Sequence, residues 1–432
     1  MKTNLFMALA FAFLMLFAAC TEEKIIYVEK DNDVELLPGE GILTISLSDI
    51  TTRAARPIDH FDPIADLVSG GNNVNKIGFR IYNNSGNLVP GVKVTSWNGG
   101  AISTDTELND YILSVDGEAL AKTPQQLKLS GLSTGVYTIV AYGYNGDTCP
   151  YTIESETSEM YLKALTKDED KFFEELFAGS LEVSANDYGN FTQEYTLTLY
   201  RQVAGMLAYF KNIPTHVETD KVYKITVSTI QKITGFYFPH TLLFENKSPF
   251  KNHNGIDSGE GFMVHDLLTF TFEKNSSVTN WDNAQPGDTY KFGGDTDKKF
   301  LLPDEMDNDV KEELKKNLKC KDNTLFGSCF LLPASGNNTT HEFGRDTKTA
   351  LHIVFKGKDD KVLKFINLID ENNKENSSLG NFSIERNHFY TLGTKNDKED
   401  EPLDINTNAG YDYLYLSIDD GWESSHNLGK NP

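Results

Sequence analysis

The stretch GILTISLSDITTRAARP, residues 41–57, decides how the fold is read. Leu43, Ile45 and Leu47 alternate with Thr44, Ser46 and Ser48, the two-residue period of a strand with one face buried and one face wet. Directly after it, Arg53 and Arg56 stand among small and polar residues, the composition of an exposed link open to a protease. A strand that a core needs is therefore tied to the rest of the chain by a tether that can be cut.

Outward from this stretch, short apolar runs recur between turn signals. NKIGFRIYN at 75–83, VKVTSW at 92–97, QLKLS at 126–130 and YTIVAYGYN at 137–145 read as strands, with NSGN at 84–87 as a turn. That is the rhythm of a β-sandwich. A helix is expected over 166–178, where Thr166 and Glu169 have capping-box spacing and Phe172/Leu176 and Phe173/Phe177 lie one turn apart. QEYTLTLYRQVAGMLAYF, VYKITVSTI, HDLLTFTFEK, TALHIVFKG, KVLKFINLI and FSIERNHFYTLG continue the strand pattern, and Met306, Val310, Leu314 and Leu318 mark a second helix over 304–319.

The expected organisation is mainly β, with two sandwich domains, each with its own core, over residues 41–188 and 189–396, and a few short helices. With 432 residues, 39% of them hydrophobic, the chain is long enough for two or three cores. Residues 20–40 read as an acidic spacer, and 397–432 as a polar leash carrying one last strand. In that strand Leu414, Leu416 and Ile418 alternate with Tyr413, Tyr415 and Ser417, the spacing of Leu43, Ile45 and Leu47 again. Two readings stay open for it. It could fill the groove left in another copy once that copy's first strand is cut away, or it could be the last strand of its own second domain.

Residues 1–19 carry Lys2 and an apolar run that is short for a membrane span and shaped like a secretory signal. Ala18 and Ala19 precede Cys20, a pattern that resembles a bacterial lipobox, with Phe17 where leucine is usual. Cys20 is then the lipidation site and the outer membrane the first address. Cys320 and Cys329, separated by KDNTLFGS, could close a disulfide loop or serve as small apolar fillers. The formal charge of −23 disfavours nucleic acid and anionic membrane surfaces as partners.

The sequence carries no catalytic or cofactor pattern. Residues 131–135 spell G-x-S-x-G, but the strand pattern resumes at once and a turn is the better reading. The nine histidines show no zinc spacing, and His265 and His352 fall inside strand patterns. The acids at Asp304, Glu305, Asp307 and Asp309 suit a helix start, and those at Asp295 and Asp297 lack the spacing of a calcium loop. No glycine-rich loop joins a strand to a helix, so no cofactor is expected.

The lipobox, the strand followed by arginines, LYRQVAGM at 199–206, ERNHFYTLG at 385–393 and the tail strand together make the chain resemble the Bacteroidales fimbrillins. That resemblance implies two transthyretin-like sandwiches, export to the surface as a lipoprotein, and removal of lipid and first strand by an arginine-specific protease. On this chain it implies cleavage between Arg53 and Ala54, release of Leu43, Ile45 and Leu47 with their strand, and donation of Leu414, Leu416 and Ile418 to another copy or a related pilin. Arg56 is disfavoured because Pro57 follows it. The resulting expectation is a stalk subunit of a surface pilus, with tip or anchor as alternatives. A surface glycan-binding lipoprotein is the competing reading from another class, and it would need convergent aromatic rings.

Overall fold

The structure is a computed structural model that describes residues 36–47, 74–105, 110–156, 161–166, 175–229, 235–238, 265–293, 299–306, 308–333, 351–370, 384–395, 399–406 and 413–419. Both large sheets belong to one compact unit, Pro38–Pro432.

The opening strand is β1 (Gly41–Leu47), and its residues alternate between buried and half-buried along its whole length, as its sequence period requires. After it come β2 (Lys76–Asn83), β3 (Lys93–Trp97), β4 (Ile102–Asp105) and β5 (Asp110–Ser114). A short helix, α1 (Gly117–Lys122), leads to β6 (Gln125–Ser130) and β7 (Gly135–Tyr144). The hairpin β8 (Tyr151–Glu156) and β9 (Tyr161–Thr166) precedes β10 (Phe177–Ala185) and β11 (Tyr195–Arg201). Nine of these strands form the first sheet, in the order β3-β6-β1-β11-β10-β7-β2-β5-β4.

The second half begins at β12 (Ala204–Lys211), followed by the small pair β13 (His216–Val217) and β14 (Asp220–Lys221), then β15 (Lys224–Thr229) and β16 (Gly235–Phe238). β17 (His265–Thr271) and β18 (Phe300–Leu301) come before helix α2 (Asn308–Asn317), which lies within the expected 304–319. The rest comprises β19 (Thr324–Leu331), β20 (Leu351–Lys356), β21 (Val362–Asp370), β22 (Phe389–Leu392), the pair β23 (Thr394–Lys395) and β24 (Asp400–Glu401), β25 (Leu403–Asp404) and β26 (Tyr413–Asp419). The second sheet runs β17-β15-β20-β21-β26-β22-β12-β19-β18, with β25 added alongside β12. The protein is thus mainly β with two sandwich-like halves, as its sequence period implied.

The halves do not keep separate cores. Along β7, Tyr137, Ile139 and Ala141 enter the first core with β1, while Val140, Tyr142 and Tyr144 enter the second with β12 and β19. Period two points successive side chains to opposite faces, so a strand apolar at nearly every position can wall both cores. Tyr82 of β2, Ala178 of β10 and Tyr151 and Ile153 of β8 also join the second core. The small sheet β16-β9-β8 pairs the hairpin of the first half with a strand of the second.

Three expectations are corrected. Thr166 ends β9 and Phe177 opens β10, so the helix expected over 166–178 is strand at both ends, and 167–174 lie outside the described residues. The division expected near residue 188 falls in a turn of the first half, whose sheet continues through Arg201. Cys320 and Cys329 carry unbridged thiols. Cys329 lies within β19, and Cys320 precedes it.

Candidate functional site

The site lies where the two chain ends enter the sheets. β1 pairs antiparallel with β6 (Leu43↔Leu127, Ile45↔Gln125) and parallel with β11 (Leu43↔Tyr195, Ile45↔Leu197, Leu47↔Leu199). Leu43 and Ile45 are fully buried and Leu47 nearly so, in a core with Leu120, Leu127, Leu129, Leu197 and Leu199. Burying three such side chains contributes roughly 1.5–3 kcal/mol each. On the other face Ser46 Oγ and Thr198 Oγ1 are 3.1 Å apart. Removing β1 would therefore open a slot with an apolar floor and two unpaired backbone edges.

β26 occupies a slot of the same kind. It runs parallel to β21 (Leu368↔Leu414, Asp370↔Leu416) and antiparallel to β22 (Tyr390↔Ile418, Thr391↔Ser417). Leu416 is buried and Leu414 half-buried against the second core, while the side chain of Ile418 lies outside what is described. In the uncut single chain the tail strand is seated in its own second sheet. The tail strand is a central strand of its own second sheet, because its alternating leucines complete the floor between β21 and β22.

Arg53, Ala54, Arg56 and Cys20 fall outside the described residues. The structure does bring together two of the motifs on which the family resemblance rests, LYRQVAGM and ERNHFYTLG. Only Gln202 and Val203 separate β11 from β12. Arg201 Nε donates to Glu175 Oε1 at 2.7 Å with both side chains buried, Arg201 Nη1 donates to Asn387 Oδ1 at 3.2 Å, and the guanidinium lies 5.0 Å over the Phe177 ring. Gln202 Nε2 donates to the carbonyls of Ala178 and Tyr200, and Arg386 Nη1 donates to Gln202 Oε1 at 2.6 Å. The Asn387 amide donates to Val203 O at 2.9 Å. These polar groups fasten the second half to β10 and β11. LYRQVAGM and ERNHFYTLG were legible as marks of kinship, but nothing in either motif alone announced its partner.

A second buried polar group lies near the wall between the cores. Arg80 and Tyr142 both donate to the Asp110 carboxylate, and all three side chains are buried. Burial, with the Asp110 charge adding to it, pushes the Tyr142 phenol far above its usual range, so it stays protonated and keeps its donor role.

The chemical candidates resolve into structure. Gly131–Gly135 joins β6 to β7, with Ser133 Oγ 2.9 Å from Tyr137 Oη, so it is a turn. His352 is buried on β20 with its ring 4.2 Å from that of Phe365, and His265 opens β17. Among the described residues no group of three or more His, Cys, Asp or Glu is placed to hold a metal, and no helix is long and apolar enough to cross a membrane. Trp97 is buried, its Nε1 donating to Ser114 O at 3.0 Å. Trp281 has Lys221 Nζ 4.0 Å from its ring centroid and Tyr290 stacked on it at 5.9 Å, which leaves neither tryptophan as an open sugar platform.

Residues 112–283 match the family model described as fimbrillin-A associated anchor proteins Mfa1 and Mfa2. The chain is fimbrillin-like. No curated protein matches it. Among solved structures, a putative adhesin from Bacteroides thetaiotaomicron is 12% identical, with 90% of this chain and 98% of that chain covered and a TM-score of 0.38. The fimbrial anchor protein Mfa2 from Porphyromonas gingivalis is 10% identical over 82% and 90% of the two chains, with a TM-score of 0.32. The tip fimbrial protein Mfa3 from the same organism, with a C-terminal truncation, is 11% identical over 82% and 93%, with a TM-score of 0.27. The family match runs from β5 to beyond β17, so it spans the joint at Arg201 and Gln202 on which this fimbrillin-like chain turns.

Proposed function

We propose that this chain is a surface pilus subunit that accepts a strand from a related subunit at the β1 slot and keeps its own tail, the arrangement suited to the tip of a fibre. The observation that carries this reading is the place of β26 between β21 and β22, in the middle of its own sheet. A stalk subunit must both accept and donate, and donation here would require pulling a central strand from a finished sheet. In this reading Cys20 carries the lipid that brings the precursor to the outer membrane. An arginine-specific protease cuts between Arg53 and Ala54, and β1 leaves with the lipid. The other partners are fimbrillin-type subunits. An anchor, which would keep its lipid and β1, is the second reading, and the description of the matching family favours it.

The N-terminus of protein recovered from the cell surface separates the two. Ala54 is expected for the tip reading, and lipidated Cys20 for the anchor. Arg53→Ala, combined with replacement of Arg56, is expected to leave lipid and β1 attached and to abolish incorporation into fibres while the subunit stays folded. Normal incorporation of that variant would refute cleavage in this link.

A further inference from the structure

The Gly39–Gly41 end of β1 is held by a set of polar contacts. Before the strand, the Gly39 amide donates to Tyr188 O at 2.6 Å and Gly39 O accepts from the Leu132 amide at 3.0 Å. Glu40 O accepts from Asn190 Nδ2 at 2.9 Å, and the Glu40 carboxylate pairs with Lys128 Nζ at 2.7 Å. Gly41 lies so close to the Phe191 ring that a Cβ there would stand 2.7 Å from it. The turn at 186–190 is itself stiff, since Asn186 Oδ1 accepts from the amides of Tyr188 at 2.9 Å and Asn190 at 3.1 Å. Gly39 (φ 84°) and Gly189 (φ 77°) have the left-handed backbone that favours glycine, and a Cβ on Gly189 would stand 2.2 Å from Leu132 O and 2.9 Å from Gly39 Cα. The β6–β7 and β10–β11 turns, with Lys128 of β6, thus close on Gly39–Gly41. At the other end, among the described residues, the side-chain hold is the Ser46–Thr198 hydroxyl pair.

We propose that the loops around Gly39–Gly41 form a clasp that keeps β1 seated after the chain is cut beyond Leu47, so that the strand frays from its Leu47 end and the clasp opens last. This rests on the reading of β1 as a strand to be replaced. Cutting and emptying of the slot are then separate events, and an incoming strand of another subunit starts beside Leu199 and advances toward Gly41. An empty slot, with its unpaired edges, is never presented to solvent.

The test uses the full chain with a site for an unrelated sequence-specific protease inserted between residues 49 and 53. After cutting, the N-terminal fragment is expected to co-elute with the body on gel filtration, and hydrogen exchange should deprotect the amides of Ile45 and Leu47 ahead of those of Gly39 and Ile42. Asn190→Ala and Lys128→Ala, both half-buried, should each shorten the residence of the fragment about five- to tenfold, the scale of one hydrogen bond with a charged or fixed partner. Separation of the fragment on cutting with the clasp intact, opening at Gly39 first, or unchanged residence in both variants would overturn the clasp. Because the cut is engineered, these outcomes do not depend on Arg53. Lipidated Cys20 on surface protein would refute the maturation reading and leave the clasp result standing.

Discussion

β1 and β26 are the two terminal strands of the described fold, and each sits between one parallel and one antiparallel neighbour. What their removal leaves behind differs. Without β1 the first sheet falls into the ribbon β3-β6 and a six-stranded remainder, and the ribbon stays tied to the body because β6 runs on into β7 and Trp97 Nε1 holds Ser114 O. Without β26 the path of the second sheet divides into β17-β15-β20-β21 and β22-β12-β19-β18. Loss of β1 would leave most of its sheet continuous, while loss of β26 would divide its sheet at the middle. Two strands with the same alternation therefore hold different places in the economy of the fold, and the difference lies in their neighbours.

The largest expected effect tests that asymmetry directly. Ile45→Asp and Leu416→Asp each put a charge into a core position, and in the uncut chain each should lower stability by on the order of 4–5 kcal/mol. After cleavage and removal of β1, the Ile45 variant should match the parent because the altered residue has left, whereas the Leu416 variant should stay destabilised. Urea unfolding of the parent and both variants, each cut and uncut, reads this out. A cut Leu416 variant as stable as the cut parent would mean that the tail is dispensable to its own sheet.

Arg201 sharpens the comparison by asking whether the two slots belong to one cooperative body. Its buried pair with Glu175 is part of the joint, and removing one member of such a pair costs about 3–5 kcal/mol because the other charge is left behind. Arg201→Met and Glu175→Gln should each lower the melting temperature of the whole chain in one transition, since β7 serves both cores. Two separate transitions in the parent would show that the halves unfold independently and that β1 can leave without the second half responding.

The sequence spoke clearly where a side-chain period maps onto one face. β1 was legible from Leu43, Ile45 and Leu47, and α2 from Met306, Val310, Leu314 and Leu318. YTIVAYGYN read as a strand, but its continuous apolar character was not traced to a second core, because only tertiary packing supplies the second face. The helix expected over 166–178 rested on the Thr166/Glu169 cap and the Phe172/Leu176 and Phe173/Phe177 spacings, yet Phe177 pairs with Gly143 in a strand. Asn186–Asn190 has the composition of a linker and is a tight turn. The cysteine spacing carried no geometry, and β19 extends between the positions a bridge would have to join. The tail was ambiguous for a deeper reason, since alternation fits a strand to any slot with an apolar floor. Arg201, Gln202, Arg386 and Asn387 acquire their role from a contact across more than 180 residues, which no local pattern encodes.

The smallest expected effect sits on the wet face of β1. Ser46 Oγ and Thr198 Oγ1 form a cross-strand pair at 3.1 Å on the parallel side of the slot, half-buried and away from the leucine floor. Such pairs contribute roughly 0.2–1 kcal/mol, so Ser46→Ala should lower the stability of the uncut chain by no more than that. Thr198→Ala should cost a similar amount, and the double variant no more than either alone if the hydroxyls serve each other. Once β1 is gone, Thr198→Ala should become neutral, because its partner has left and water can reach the hydroxyl. A cost that persists at Thr198 in the cut chain would mean that the slot closes on itself after the strand departs, drawing β6 toward β11, and that the resemblance between the slots of β1 and β26 ends with the cut.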